Sequence, residues 1–91
     1  MQEKRFMIGS VEIHFWITGN ICDCINNVEL EKDGRTINIK EITGEHLGNQ
    51  PDELYTLAAE QDGFLFVSAF RGITFLIDTE RLTIVKKNVC K

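Results

Sequence analysis

The side chains best suited to chemistry are those of the three cysteines and two histidines. Cys22 and Cys24 are separated by a single residue, Cys90 lies next to the C-terminal residue, and His14 lies in an alternating apolar–polar segment. His14 and the cysteines could supply a Cys₃His metal site, or a nucleophile with its base. A small enzyme or metal-binding protein that uses His14 with Cys22 and Cys24 is therefore one hypothesis.

The spacing of these residues does not favour that hypothesis. Structural zinc sites usually place about two to four residues between paired cysteines, whereas only Asp23 separates Cys22 from Cys24. The chain also has no Gly-x-Ser-x-Gly elbow, no P-loop and no dinucleotide-binding glycine pattern. We therefore predict no enzyme, and no catalytic, cofactor-binding or metal-binding residues. Because three cysteines cannot all pair, we expect reduced thiols.

Carboxylates form the most distinctive pattern in the chain. The sequence has 14 acidic and 10 basic residues, and residues 41–70 contain six of the acidic residues and no Lys or Arg. Such a surface would attract a basic protein, and it would repel nucleic acid because phosphate contacts require cations. The alternative is an acidic face that only contacts solvent. The predicted partner-binding residues are Glu41, Glu45, Asp52, Glu53, Tyr55, Glu60, Asp62 and Trp16.

Trp16 joins this set because it is the single tryptophan of the chain. The alternation in 11–17 directs the odd-numbered apolar residues to one face of a strand, and Glu12, His14 and Trp16 to the other. Either a second layer, such as a helix at 51–61, covers Trp16, or Trp16 is exposed and anchors a protein interface.

Length and composition are those of an ordinary small globular protein. The 91 residues are 43% hydrophobic and 26% charged, which predicts one folded domain, 1–91. No apolar run approaches the roughly 20 residues of a membrane-spanning helix. Residues 1–9 lack the apolar stretch of a secretory signal. We therefore expect a cytoplasmic protein with no membrane contact.

Two hairpins are predicted in the first half of the chain. Gly9-Ser10 suits a type II′ turn that pairs 4–8 with 11–17. Asp33-Gly34 suits a type I′ turn, which requires positive φ at both of its central residues. Both pairings place apolar side chains on one face and polar side chains on the other, as expected for half-buried antiparallel strands.

A three-stranded meander is predicted at 64–87. Residues 64–70 are apolar at nearly every position, which predicts a central strand covered on both faces. Residues 62–85, through the motifs DGFLFVS and GITFLIDTE, resemble one blade of a quinoprotein-type β-propeller repeat, with Arg81 where the repeat has Gly. The resemblance implies meander geometry. It implies no propeller function, because one blade cannot close a propeller.

The secondary structure of 51–61 is ambiguous. Pro51 suits the first turn of a helix, and the leucines that follow have helical spacing. A strand would instead pair Tyr55 with Phe70 and Ala59 with Phe66 across Asp62-Gly63. Because Ala, Glu and Gln are poor strand formers, we predict a helix. The predicted fold is α+β, mostly antiparallel sheet with one short helix near 51–61, and the alternative is an all-β small barrel or sandwich.

These features together predict a small acidic protein-binding module. The class that fits best is an immunity or inhibitor protein that neutralises a basic partner, such as a bacterial nuclease toxin. Nucleases must hold phosphates, so their clefts are basic. A further alternative is a structural subunit of a homo-oligomer, in which self-association completes the two-sided apolar strand.

Overall fold

The computed structural model describes residues 2–89, which contain eight β-strands and three short helical segments. The strands are β1 (Gln2–Ile8), β2 (Val11–Ile17), β3 (Val28–Lys32), β4 (Arg35–Asn38), β5 (Tyr55–Gln61), β6 (Phe64–Ala69), β7 (Ile73–Asp78) and β8 (Thr83–Val89). The helical segments are helix α1 (Lys40–Thr43) and two 3-10 helices, Ile21–Cys24 and Gly44–His46. None of the helical segments in 2–89 has the length and apolar character needed to cross a membrane.

The strands form two four-stranded antiparallel sheets, each in chain order. Sheet 1 is β1-β2-β3-β4 and sheet 2 is β5-β6-β7-β8. A mostly antiparallel architecture with one short α-helix confirms the predicted fold class. The predicted meander is also confirmed, as strands β6, β7 and β8.

Both predicted hairpins of sheet 1 are confirmed. Ile8 lies opposite Val11 in the β1–β2 ladder, and Gly9 has a φ of +59°, as the first central residue of a type II′ turn requires. Asp33 and Gly34 have φ values of 52° and 77°. Positive φ at both positions is the mark of a type I′ turn.

The helix predicted at 51–61 is wrong, because most of this segment forms β5 and the one α-helix of the described residues is α1. Ala59 lies opposite Phe66, as the strand alternative has it, but a register shift between Tyr55 and Leu57 places Tyr55 opposite Ala69 and not Phe70. Asp62 and Gly63 both have positive φ and form a second type I′ turn. This turn holds β5 against β6, and the resulting ladder outweighs the weak strand preference of Ala, Glu and Gln.

One hydrophobic core lies between the two sheets. Alternate residues of the strands supply its most deeply buried side chains, namely Val11, Ile13, Val28 and Leu30 from sheet 1 and Leu65, Val67, Phe75 and Ile77 from sheet 2. Each sheet therefore has an inner face that packs on the other sheet and an outer face that points away from it.

The loops of the two sheets meet at the ends of the strands. At one end, the β1–β2 and β3–β4 turns approach the β7–β8 loop, since Ser10 Oγ and Lys32 Nζ donate to the side chain and backbone carbonyl of Glu80, respectively. At the other end, Asn26 donates to the Asp52 carboxylate, and Arg71 donates to Gln50. The segment that connects the two sheets therefore packs against loops of both.

Strand β6 is not covered on both faces, so that prediction is wrong for the single chain. Leu65 and Val67 are completely buried on the inner face. Phe64 and Phe66 are half-buried on the outer face, and Phe70, directly after the strand, is 73% exposed. The described residues provide no third layer over this side of sheet 2.

Candidate partner-binding surface

The outer face of sheet 1 carries a cluster of charged and aromatic side chains, which we call the acidic face. Strand alternation and the register of β1, β2 and β3 place its members on one side of the sheet. Its members are Glu3, Arg5, Glu12, His14, Trp16, Glu29 and Glu31. Four carboxylates and one guanidinium give the acidic face a net charge of −3 when His14 is neutral.

The sheet register sets like charges opposite each other on this face. Glu12 lies directly opposite Glu31, and His14 lies opposite Glu29. Like charges directly opposite each other on neighbouring strands destabilise a sheet. Arg5 lies 3.6 Å from Glu12, but Glu29 and Glu31 form no ion pair within residues 2–89. The negative charge of the acidic face is therefore only partly compensated within the chain.

A depression of about 210 Å³ opens between these side chains. It is lined by Arg5, Glu12, His14, Glu29, Leu30, Glu31 and Thr36. The Nε2 atom of His14 is buried beside it, 3.4 Å from a carboxylate oxygen of Glu3, and makes no hydrogen bond to the described part of the chain. The depression is thus bordered by carboxylates and by a ring nitrogen that lacks a hydrogen-bond partner.

Trp16 borders the acidic face beside His14. The two ring centroids are 4.9 Å apart, and the indole Nε1 donates to the carbonyl oxygen of Asp23 at 2.8 Å. The 3-10 helix Ile21–Cys24 therefore fixes the Trp16 ring, and no helix at 51–61 covers it. Trp16 remains half-buried, which leaves part of its ring accessible.

This arrangement is chemically suited to bind a cationic side chain. Carboxylates form charge-assisted hydrogen bonds with ammonium and guanidinium groups, and aromatic rings attract the same cations through their faces.

For metal ions, no group of three or more His, Cys, Asp or Glu side chains within residues 2–89 has a suitable arrangement.

Two of the predicted partner-binding residues, Glu53 and Tyr55, are buried. Arg71 Nε donates to Glu53 Oε2 at 2.5 Å, and the backbone amide of Leu54 donates to Glu53 Oε1 at 2.9 Å. The hydroxyls of Tyr55 and Thr43 share a hydrogen bond of 2.6 Å. Because their side chains are buried in the folded chain, neither Glu53 nor Tyr55 can contact a partner, and neither belongs to a partner-binding surface.

Burial also changes the acidity of Tyr55. Removal from solvent raises the pKa of the Tyr55 phenol from 10.0 to about 12, and the hydrogen bond with Thr43 only partly offsets this effect. The phenol therefore stays protonated over the physiological pH range.

Asp52 and Glu41 are exposed but already have partners within the chain. Asp52 lies 2.8 Å from Lys40 Nζ and accepts a hydrogen bond from Asn26 at 2.9 Å. The hydrogen bonds from Lys40 and then Asn26 hold the pKa of the Asp52 carboxyl below its usual range. Glu41 accepts a hydrogen bond from the backbone amide of Asn38 at the start of α1. Both carboxylates therefore stabilise the segment that connects the sheets.

The remaining predicted acidic residues lie far apart along this segment. Glu45 is exposed beside His46 in a 3-10 helix. Glu60 accepts a hydrogen bond from the amide of Gly63, and Asp62 lies in the same turn at the far end of β5. The structure does not bring the eight predicted residues together, and only Trp16 lies on the acidic face.

The cysteines and histidines of the metal or enzyme hypothesis make separate contacts. Cys24 is buried, and its Sγ accepts a hydrogen bond from the Thr18 amide at 3.1 Å. Cys22 is exposed, and Cys90 lies outside the described residues. The polar neighbour of His14 is Glu3, not a thiol.

Glu29 and Glu31 escape sequence-based prediction because the pairing of β2 with β3 is not predictable from the residues between them. Residues 18–26 have no clear period and lack a short turn signal. A usable signal exists, however, since each predicted hairpin has its own polar face. Aligning the polar face that contains Glu12 with the one that contains Glu29 would have revealed the cluster.

Comparison of the chain with protein-family models, with curated protein sequences and with solved structures finds no match. The acidic face must therefore be interpreted from its own geometry and charge.

Proposed function

We propose that this chain is a protein-binding module whose acidic face docks onto a basic protein. The class that fits best is a cytoplasmic immunity or inhibitor protein that neutralises a basic partner such as a bacterial nuclease toxin. The observation that carries the proposal is the cross-strand pair of Glu12 and Glu31, which lies beside Glu29 with a single guanidinium nearby.

A cation from a partner would relieve a repulsion that the fold itself leaves in place. The depression of about 210 Å³ accommodates the end of a Lys or Arg side chain between Glu12, Glu29 and Glu31. The partly exposed rings of His14 and Trp16 offer an adjacent aromatic surface, and Trp is enriched among residues that dominate binding energy. The charge of the acidic face would also steer a basic protein during diffusion.

Nuclease toxins are suitable partners because a cleft that binds phosphate is basic. The same acidic face would repel nucleic acid. Binding of this kind needs no catalytic group on the inhibitor, which agrees with the prediction that the chain is not an enzyme.

The proposal is tested by reversing one charge at the centre of the acidic face. We expect Glu31→Lys to reduce the association rate with a susceptible nuclease domain and to flatten its salt dependence. Purified bacterial nuclease-toxin domains with basic clefts are the probes, and inhibition of DNA or RNA cleavage is the second measurement. Glu45→Lys makes the same charge change at an exposed carboxylate away from the acidic face, and is the matched control.

This variant also separates binding from folding. Glu31→Lys converts a repulsive cross-strand pair into an attractive one, so the free energy of unfolding should stay the same or rise. A stable Glu31→Lys protein that binds and inhibits like the wild type would contradict the proposal. So would a complete absence of binding across the panel of domains.

A further inference from the structure

We infer that the outer face of sheet 2 is the interface of a homodimer. This side of the sheet presents a row of apolar residues that we call the phenylalanine face. Its members are Leu57, Ala59, Phe64, Phe66, Phe70 and Leu76. The occupant is a second copy of the same chain, which packs sheet against sheet.

The alternation of β6 produces this face. Residues 65, 67 and 69 point into the core, so Phe64 and Phe66 must point outward. Phe70, in the turn that follows β6, is 73% exposed. Phe66 lies in the middle, opposite Ala59 on β5 and opposite Leu76 on β7. The chain thus directs three of its six phenylalanines away from its own core.

The exposure of this face is unusual for a monomer. Phe70 is 73% exposed and Leu57 is 46% exposed, while Phe64, Phe66 and Leu76 are only half-buried by their neighbours within the sheet. Adjacent exposed apolar residues of this size are typical of surfaces that bind another protein. A second layer at the usual distance of about 10 Å would remove them from water.

The charge of the phenylalanine face argues for a second copy as the occupant. The other outward residues of β5 and β6, Gln61 and Ser68, are neutral, as is Thr74 on β7. Two charged residues lie on this side of the sheet. The carboxylate of Asp78 accepts hydrogen bonds from the amides of Glu80 and Arg81, and Lys86 lies opposite Leu76 on the edge strand β8. A charged partner surface would lose its hydration against the apolar centre of this face without gaining an opposite charge there.

The centre of the phenylalanine face is apolar, and its two charged neighbours, Asp78 and Lys86, have opposite signs. Such a face is complementary to a second copy of itself, as a two-fold interface requires. The acidic face is not, because two copies of it would repel each other. The two faces lie on opposite sides of the molecule, so dimerisation through sheet 2 leaves both acidic faces free. The dimer therefore does not depend on the proposed function, and either can fail without the other.

Sedimentation equilibrium of the full chain over a concentration series tests the dimer. We expect a mass of twice the 10.4 kDa chain for the wild type. Phe66→Glu should weaken association by about 10- to 100-fold, because it places an unpaired charge at the centre of the interface. Phe66→Leu should remain dimeric. Met7→Glu makes a comparable change at a 57% exposed apolar residue of sheet 1 and should also remain dimeric.

Leu57→Glu repeats the test at a more exposed position of the phenylalanine face, so the outcome does not depend on the folding of Phe66→Glu. Circular dichroism identifies any variant that fails to fold. A wild-type chain that is monomeric at every concentration would overturn the inference. A dimer that persists in both folded glutamate variants would overturn it as well.

Discussion

The side-chain amide of Asn27 pairs with the backbone of Tyr55 in the way a neighbouring strand would. The amide of Tyr55 donates to Asn27 Oδ1, and Asn27 Nδ2 donates to the carbonyl oxygen of Tyr55, both at 2.8 Å. The same Nδ2 donates to the carbonyl oxygen of Trp16, also at 2.8 Å. Asn27 is completely buried, so one side chain joins β2 of sheet 1 to β5 of sheet 2.

Replacing this side chain should destabilise the whole fold. Asn27→Ala leaves buried backbone groups of Tyr55 without partners, and each such group costs about 1–3 kcal/mol. We expect the free energy of unfolding to fall by about 2–4 kcal/mol, measured by urea denaturation. Asn88→Ala, at an exposed position of β8, is the control and should have little effect. Equal midpoints for the two variants would show that the bridge between the sheets contributes nothing.

Tyr55 should titrate abnormally, and its pKa makes stability depend on pH in the alkaline range. Burial raises the pKa to about 12, so the folded chain keeps its proton when the unfolded chain, with a pKa of 10.0, loses it. This contribution is complete below pH 10 and is lost as the pH rises toward 12, by a total of about 2–3 kcal/mol. Because Tyr55 is the single tyrosine, near-ultraviolet absorbance follows it directly. A midpoint near 10 in the native protein would contradict the burial of the Tyr55 phenol, since burial is what raises its pKa.

Arg71 should contribute more to the free energy of unfolding than Lys40, although each pairs with one carboxylate of residues 41–70. Arg71→Met strands the buried carboxylate of Glu53, and because Arg71 is itself partly exposed we expect a loss of about 1–3 kcal/mol in unfolding free energy. Glu53→Gln in the same molecule should recover part of that loss. Lys40→Met breaks only the exposed pair with Asp52 and should be nearly neutral in the same denaturation experiment. Equal losses for the two single variants would be the contrary result.

A side chain at Gly34 should destabilise the fold for reasons of backbone conformation alone. Its φ is +77°, and nothing lies within 4 Å of the position that a Cβ would occupy. Gly34→Val should therefore cost roughly 1–2 kcal/mol through strain in the left-handed region. Gly19 has equally open surroundings and no positive φ, so Gly19→Val separates strain from steric contact. Similar thermal midpoints for both variants would contradict the type I′ turn.

The parts of the fold that were predictable are those encoded by short-range signals. Gly9-Ser10 and Asp33-Gly34 determine where the chain reverses, and the period-two patterns beside them determine which face is buried. Asp62-Gly63 is an equally strong turn signal. The strand before this turn was nevertheless predicted as a helix, because the composition of 51–61 favours a helix and only pairing with β6 reverses that preference.

The partner site was less predictable because the density of charge along the sequence does not show which charged side chains lie together in the fold. The segment 41–70 passes from α1 through the core to β6, so its carboxylates face different surroundings. Lys40 and Arg71, which neutralise Asp52 and Glu53, lie just outside the segment at its two ends. The acidic face, in contrast, draws its glutamates from three strands, and only the β2–β3 register brings Glu12 and Glu31 together.

Each sheet is built from one half of the chain alone, so the chain can be cut between the two sheets without separating paired strands. A cut between Gly48 and Asn49 would leave every ladder intact within one of two peptides, and would keep Gln50 with its partner Arg71. Because the contacts within each sheet are local, we expect each sheet to form faster than the two sheets pack together. We therefore expect the two peptides to reassemble when mixed, and their rate of association would measure the packing of sheet 1 against sheet 2 by itself.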